Sequence, residues 1–167
     1  VLLSYYGRLN YSFNSRYMLT TTVRRDATSR FAKNVRWGTF PSVALGWRVT
    51  EESFLKDNKV ISTLKVRASY GVTGQQDGIG NYNYLPIYTI SQSGAGSLIG
   101  GTPTPTYRPK AYVPNLKWET TTSWNVGFDF GFLKDRITGS FDYYTRQTKD
   151  LIATVPAAAG TPFDRNI

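Results

Sequence analysis

Apolar and polar side chains alternate with a period of two along much of the chain. The pattern is clearest over residues 124–132, where the members of one face are Trp124, Val126, Phe128, Phe130 and Phe132. The members of the other face are Asn125, Gly127, Asp129 and Gly131. Because successive side chains of a β-strand point to opposite sides of a sheet, this spacing predicts a strand with one apolar and one polar face.

Further stretches show the same alternation and complete a set of six predicted long strands. A short charged run, residues 133–136, separates the first stretch from the next one and predicts a hairpin. A tight turn is likewise predicted at residues 14–16. The predicted strands cover residues 5–13, 17–23, 40–49, 61–73, 117–132 and 137–144. The chain is therefore predicted to be all-β and antiparallel.

The other connections are longer and differ in kind. Residues 25–36 are predicted to form a basic loop. Residues 74–117 form a long segment rich in Gly, Ser, Thr, Pro and Tyr, with a short extra strand predicted over residues 82–85. Residues 50–57 predict a short helix with Thr50 as its N-cap, since a threonine hydroxyl accepts hydrogen bonds from the first free N–H groups of a helix.

Strands of this kind occur in two architectures that bury opposite faces. A soluble sandwich turns its apolar face inward, whereas a transmembrane barrel turns it to lipid and lines its lumen with the polar face. The barrel is favoured because the strands exceed the roughly 5–6 residues usual in soluble proteins, aromatic residues lie near strand ends, and short turns oppose long loops. Six strands cannot close a barrel that needs at least about eight, so a larger parent barrel is expected.

In the barrel interpretation each face has its own environment. The residues predicted to face lipid are Trp124, Val126, Phe128, Phe130 and Phe141. The residues predicted to face the lumen are Lys65, Arg67, Asn125, Asp129 and Asp142. The long loops are then extracellular and the short turns periplasmic, with residues 50–57 as an exception on the periplasmic side.

The composition excludes several kinds of functional site, whereas it says little more about the fold. The 167 residues contain no cysteine and no histidine, which excludes disulfides, Cys/His zinc sites, thiol nucleophiles and a Ser-His-Asp triad within this chain. No cofactor and no metal site is predicted. The net charge of +9 is compatible with nucleic acid, anionic lipid or an acidic partner. Because Lys and Arg are scattered and no nucleic-acid motif occurs, nucleic acid is not predicted as a partner.

Two loops carry candidate binding residues. In the long segment, five residues are candidates for contact with a sugar, because aromatic rings can stack on it and side-chain amides can form hydrogen bonds with it. They are Gln75, Asn81, Tyr82, Tyr84 and Trp118. The alternatives are packing within the loop and contact with a covering partner protein. The basic loop carries Arg24, Arg25, Arg30, Lys33 and Arg36 against Asp26. It could bind lipopolysaccharide phosphates, an anionic substrate or an acidic partner, but bracing of neighbouring loops is the favoured interpretation.

Asp129 and Asp142 form a carboxylate pair that could act as a glycosidase site. If Phe132 pairs with Ile137, the two carboxylates are diagonal neighbours on adjacent strands, roughly 7–8 Å apart. Lining of the lumen among small polar residues is the simpler explanation. No catalytic residue is therefore assigned, and the chain is not predicted to be an enzyme.

Several runs of the sequence also resemble one family. These runs are Tyr5–Phe13, Arg24–Asp26 with Ser29–Phe31, Arg36–Arg48, Lys65–Gln75, Leu116–Glu119, Asn125–Asp129 and Phe141–Tyr144. They occur in order over nearly the whole chain and together resemble the barrel of SusC-like (SusC/RagA) TonB-dependent outer-membrane transporters. The resemblance implies a barrel of about 22 strands plugged by an N-terminal domain. Residues 1–167 are then part of a single barrel domain.

The resemblance also implies a function for the parent protein. Transporters of this kind lie in the lipid of a Gram-negative outer membrane and import glycans or oligopeptides, with a SusD-like surface lipoprotein as a lid and TonB as the source of energy. The plug, the TonB box and the closing C-terminal strands are expected outside these 167 residues. The alternative is a soluble all-β carbohydrate-binding or adhesive module, which would need a second sheet to cover the long apolar face.

Overall fold

A computed structural model describes residues 1–56, 58–90 and 96–153. Six long strands form one antiparallel sheet, in the spatial order β1 (Leu2–Phe13), β2 (Tyr17–Thr28), β3 (Trp37–Arg48), β4 (Ile61–Gln75), β9 (Glu119–Phe132) and β10 (Ile137–Lys149). The long loop between β4 and β9 contains the short strands β5 (Tyr88–Ile90), β6 (Gly96–Ile99), β7 (Thr102–Pro105) and β8 (Tyr107–Pro109). They form two separate ribbons, β5 with β8 and β6 with β7. The predicted all-β antiparallel fold is confirmed.

Pairing between the long strands turns the alternation of each strand into two continuous faces. The last hairpin is present as predicted, and Phe132 pairs with Ile137, the register that was supposed for it. Pairing continues residue by residue through most of the sheet, with a bulge in β4 between Ile61 and Thr63. Directly paired residues point to the same side of a sheet, so the alternate residues of each strand join into one continuous face. On the face that contains Phe128 these are the odd-numbered residues of β1, β2, β3 and β10 and the even-numbered residues of β9 and, after its bulge, of β4.

The turn between β9 and β10 is held by residues that lie just before and within β4. Leu133, Lys134 and Asp135 adopt φ angles of 54°, 60° and 58°, which are uncommon for residues with a Cβ atom. The Ser62 hydroxyl accepts hydrogen bonds from the N–H groups of Lys134 and Asp135, at 2.7 and 3.2 Å. The Leu133 N–H donates to the Val60 carbonyl at 2.8 Å. These bonds stabilise a backbone conformation that the turn residues do not favour by themselves.

Two predicted connections are wrong. Strand β2 continues to Thr28, so Arg25 lies in a strand rather than in a basic loop. Residues 82–85 form turns and not a strand, and the Leu85 N–H donates to the Tyr82 carbonyl at 3.0 Å. Both errors have a long-range cause: β2 is extended by pairing with β1 and β3, whereas no described strand pairs with residues 82–85.

The helix predicted over residues 50–57 is wrong in type and in length. The structure has a short 3-10 helix, Val49–Glu51, whose N-cap residue is Arg48, and Thr50 lies inside it. Glu52 follows in an extended conformation. The last residue of the predicted helix lies outside the described residues. None of the helices in the described part of the chain is long and apolar enough to cross a bilayer.

A small apolar core lies at the loop end of the sheet. Its buried members are Phe31, Phe40, Ile79 and Trp118. Strands β3 and β4 are paired only as far as Ser42 and Gly71. Phe40 lies beyond that pair and packs so closely that a Cβ added at Gly74 would overlap its ring. The core joins the loop after β2, the end of β4 and the start of β9.

Candidate functional site

One face of the six-stranded sheet is apolar. On this face Val66 pairs with Phe128 and Phe128 pairs with Phe141, and the centroids of the two phenylalanine rings lie 5.7 Å apart. The register places all of the residues predicted to face lipid on this side, and four of them are exposed, namely Trp124, Val126, Phe128 and Phe141, whereas Phe130 is half-buried. An apolar surface of this extent indicates a non-aqueous neighbour.

The opposite face is polar and contains an ion-pair network across three strands. Arg67 of β4 donates from Nη2 to Asp129 Oδ1 of β9 at 2.9 Å and to Asp142 Oδ2 of β10 at 3.1 Å. Lys65 pairs directly with Asp129. Asn125 lies four residues before Asp129 in β9 and therefore points to the same side of the sheet. All five residues predicted to face the lumen therefore share this face.

Arg67 bridges the two carboxylates that the sequence suggested as a pair. Asp129 and Asp142 are diagonal neighbours, as predicted, and both accept a hydrogen bond from the same guanidinium. Both carboxylates therefore belong to an ion-pair network on the polar face. Among the described residues, no group of three or more His, Cys, Asp or Glu side chains is placed to hold a metal ion. The arrangement instead ties β4, β9 and β10 together.

At the turn end of the sheet, the carboxylate of Glu52 lies at the edge of the apolar face. Glu52 accepts hydrogen bonds from the Tyr17 hydroxyl at 2.6 Å, from the Trp47 indole at 3.1 Å and from the Arg16 guanidinium at 3.2 Å. The rings of Tyr17 and Trp47 are stacked, with centroids 6.4 Å apart. The hydrogen bond from Tyr17, followed by the bond from Trp47, lowers the pKa of Glu52 below its ordinary value. These bonds hold Glu52 against β2 and β3.

At the loop end, a second aromatic group lies on the same apolar face. Trp37 of β3 stacks on Tyr5 of β1, with ring centroids 6.2 Å apart. Arg25 of β2 lies with its guanidinium carbon 5.0 Å from the centroid of the Trp37 ring. This group was not predicted, because Arg25 was expected in a loop. The signal that could have found it is the continued alternation of β2 through Val23, Arg25 and Ala27.

The predicted ligand-contact residues differ in exposure. Gln75, Asn81 and Tyr82 are exposed, and Tyr84 is half-buried. Trp118 is only 7% exposed, because it lies in the loop-end core, where its ring packs on Phe31 and Phe40 with centroids 5.3 Å away in both cases. Its indole N–H donates to the Arg36 carbonyl at 3.1 Å. Trp118 is therefore a member of the loop-end core, and its contact with a ligand stays a prediction.

A cavity of about 710 Å³ lies beside the loop-end core. One wall comes from residues 78–83 and 110–117, and the other comes from residues 150–153, which follow β10. Lys117 closes one side of it through an ion pair with Asp150 at 3.0 Å. This cavity was not predictable from local pattern, because its walls come from segments that are far apart along the chain.

Comparison with known proteins identifies the family to which this architecture belongs. Residues 3–167 match the family described as TonB dependent receptor-like, beta-barrel. The chain belongs to this family. It is 53% identical over 163 residues to the TonB-dependent receptor SusC of Bacteroides thetaiotaomicron, an alignment that covers 98% of this chain and 16% of SusC. It is 37% identical over 162 residues to the TonB-dependent receptor P39 of Formosa agariphila, covering 97% of this chain and 15% of that protein.

Solved structures agree with this assignment. The structure of the RagAB peptide transporter matches with a TM-score of 0.81 at 29% identity and covers 99% of this chain and 18% of that chain. The RagAB peptide importer in its closed-closed state matches with a TM-score of 0.82 at 29% identity, covering 99% of this chain and 17% of that chain. The resemblance to SusC/RagA barrels is confirmed, and this chain spans about a sixth of the length of the curated relatives.

Proposed function

We propose that this chain forms part of the wall of a TonB-dependent importer in a Gram-negative outer membrane. The observation that carries the proposal is the contrast between an exposed apolar face and a polar face with its own ion pairs, in strands of 12 to 15 residues. A tilted strand needs about 9–11 residues to cross a bilayer. Proteins of this family are outer-membrane β-barrels, which supports the assignment of the apolar face to lipid.

In this proposal the two faces have the environments that the sequence predicts. The lipid-facing residues are Trp124, Val126, Phe128, Phe130 and Phe141, and the lumen-facing residues are Lys65, Arg67, Asn125, Asp129 and Asp142. The long segment between β4 and β9 is extracellular, and the end that carries Glu52 is periplasmic. Strands β1 and β10 are the edges of the sheet. Because unpaired N–H and C=O groups are costly in lipid, we expect further strands of a barrel of about 22 strands beside both edges.

The proposed cargo is a glycan or an oligopeptide, taken up together with a SusD-like surface lipoprotein that covers the extracellular loops. Similarity to the RagAB peptide transporter supports the oligopeptide class, and the glycan class is what the resemblance to SusC-like transporters implies. Gln75, Asn81, Tyr82 and Tyr84 are proposed to contact either the cargo or the lipoprotein. Energy from TonB is proposed to act through an N-terminal plug outside the 167 residues. The proposal includes no cofactor, no covalent chemistry and no nucleic-acid partner.

A soluble carbohydrate-binding or adhesive module is less compatible with the structure. A soluble sandwich buries its apolar face beneath a second sheet. In the described part of the chain, the side chains of Trp124, Phe128 and Phe141 remain 56%, 41% and 58% exposed. These values favour a lipid neighbour over a soluble module.

Cell fractionation and uptake assays on the full-length parent test the proposal. We expect the parent in the outer-membrane fraction, with the heat-dependent change of electrophoretic mobility that folded barrels show. Uptake of labelled oligosaccharides or oligopeptides should require the parent, its lipoprotein and an energised inner membrane. A soluble, detergent-independent monomer would overturn the lipid assignment. An outer-membrane barrel whose deletion leaves both uptake assays unchanged would overturn the import function.

A further inference from the structure

We propose that Tyr5, Arg25, Trp37 and Thr39 form a site on the outer wall of the barrel for the phosphate of an outer-leaflet lipid. The ligand is a phosphate group carried by a lipid headgroup, held beside the barrel at the loop end of the sheet. The proposal rests on the proposed function in one respect, namely that the apolar face meets lipid and that the loop end lies at the outer leaflet.

The polar groups of this site form a row across three neighbouring strands. Arg25 of β2 pairs directly with Tyr5 of β1 and with Thr39 of β3. Directly paired residues of antiparallel strands point to the same side, with Cβ atoms about 4.5–5.5 Å apart. The row therefore presents one guanidinium between two hydroxyls, and the oxygens of a phosphate can accept hydrogen bonds from all three. All three residues are exposed, so the row is open to a ligand from outside the sheet.

Trp37 holds the guanidinium in place. Its ring lies 5.0 Å from Cζ of Arg25 and is stacked on the ring of Tyr5 with an interplanar angle of 13°. A guanidinium on an aromatic face keeps its N–H donors, which lie in its own plane, free for a second partner. Ala27, which pairs with Trp37, is small and only 6% exposed. The site is thus built on paired strands and on stacked rings rather than on a loop.

Within the described residues, the charge of Arg25 has no counter-charge. In the described part of the chain, no carboxylate forms an ion pair with Arg25. Its neighbour Arg24, on the polar face, pairs with Asp26 at 2.8 Å, and Arg67 on that face pairs with two carboxylates. An arginine side chain at the edge of an apolar surface can reach the headgroup level with its charged end. A lipid phosphate there supplies the missing negative charge.

The surroundings of the row favour a lipid over the other anions considered for these arginines. Leu3 and Val23 flank the row on the same face, and both are exposed. They provide an apolar surface beside the guanidinium, where acyl chains can pack while the headgroup phosphate binds. A free anion or an acidic protein segment has no apolar part that would pack on these exposed side chains. The combination of one cation, two hydroxyls and flanking apolar residues fits an amphipathic ligand.

The height of the row also matches the headgroup level. Trp37 opens β3 at the loop end, and Trp47 lies on the same face near the turn end. The strand between them is about 33 Å long, which is about 25 Å along the membrane normal at a tilt of about 40°. The apolar band of an outer-membrane barrel is about 25 Å tall, with aromatic residues at both edges. Arg25 beside Trp37 therefore lies at the outer edge of the hydrocarbon and not within it.

Native mass spectrometry of the purified full-length parent tests the site with two probes, lipid A and the same lipid after removal of its phosphates. We expect the wild type to retain the phosphorylated lipid in preference. Arg25→Gln should weaken retention of that lipid about tenfold and abolish the preference, since it removes a charge-assisted hydrogen bond. Arg25→Lys, which keeps the charge without the planar fork, should recover part of the retention. The matched control is Arg8→Gln, because Arg8 is exposed on the polar face of β1 and should keep the wild-type preference.

Each further outcome bears on a different part of the proposal. Equal retention of the two lipids by the wild type, or an unchanged preference in Arg25→Gln, would overturn the site. Displacement of the lipid by millimolar inorganic phosphate would assign the site to a free anion and overturn the lipid assignment. Heat-dependent mobility is recorded first for each protein. A wild-type parent that is not a membrane barrel contradicts the proposed function as well, whereas a folded barrel without lipid preference contradicts this site alone.

Discussion

The two faces of β9 share one backbone but are completed by different partners. On the polar face, Asp129 is paired with Arg67 of the neighbouring strand, so this chain supplies its own counter-charge. On the apolar face, Val126 and Phe128 pack on neighbouring side chains but remain exposed. The comparison shows where an external partner is needed. We infer that water and internal ion pairs suffice for the polar face, whereas lipid has to complete the apolar face.

The largest effect is expected from a charge placed on the apolar face. Phe128→Arg in the full-length parent should block or impair barrel assembly, because an arginine at the lipid-facing midplane costs about 2–4 kcal/mol. Asn125→Arg, on the polar face of the same strand, is the matched control and should assemble normally. Outer-membrane yield and heat-dependent mobility measure both variants. Normal assembly of Phe128→Arg would show that this face does not meet lipid.

A smaller effect is expected from added volume on the polar face. A Cβ at Gly127 would overlap the Asp142 carboxylate and would lie 2.8 Å from the Phe141 carbonyl oxygen. Gly127→Ala should therefore lower the free energy of unfolding by about 1–3 kcal/mol. The temperature at which the mobility shift occurs reports this loss. Gly7→Ala is the control, since nothing lies within 4 Å of an added Cβ in that strand. Equal transition temperatures for the two variants would contradict the close packing at Gly127.

The ion-pair network tests whether the polar face is complete without a partner. Arg67→Met leaves Asp129 and Asp142 close together without their counter-charge. We expect a loss of stability smaller than that of Gly127→Ala, because the Arg67 side chain is 36% exposed and water screens the charges. Adding Asp129→Asn and Asp142→Asn should recover most of that loss in the same thermal assay. A triple variant that is no more stable than Arg67→Met would show that repulsion between the carboxylates is not the cause.

The smallest effect is expected at the turn end of the apolar face, where Glu52 binds Tyr17 and Trp47. Because the pKa of Glu52 in the folded protein lies below its ordinary value of 4.5, the stabilisation is present above that value and is lost as the pH falls through the lowered pKa. At pH 7 the wild type should therefore have a higher melting temperature than Glu52→Gln. Below pH 4.5 the melting temperatures of the two proteins should converge. Glu51→Gln is the control and should follow the wild type. A constant difference between wild type and Glu52→Gln across this range would contradict the assignment.

The strand interiors were predictable because their signal is local. The alternation over residues 124–132 specified one apolar and one polar face, and the short charged run after it specified a hairpin. The pairing of Phe132 with Ile137, which was only supposed, is the one that the structure has. The ends of the strands were less predictable. Arg25 was assigned to a loop and Trp118 to a ligand contact. In the structure, Arg25 extends β2 and Trp118 is buried in a core. Their positions depend on neighbouring strands and on Phe31 and Phe40, which local pattern does not report.

By itself, the sequence determined which side chains share a face, because a period of two is a property of the extended backbone. It also determined the family, since the similarity runs over residues 3–167. Only the tertiary structure decided which groups meet across the sheet. Arg67 meets carboxylates that are 62 and 75 residues away along the chain. The cavity at the loop end likewise takes its walls from distant segments. Contacts of this kind depend on strand order and register. Both are determined by pairing between segments that are distant along the chain.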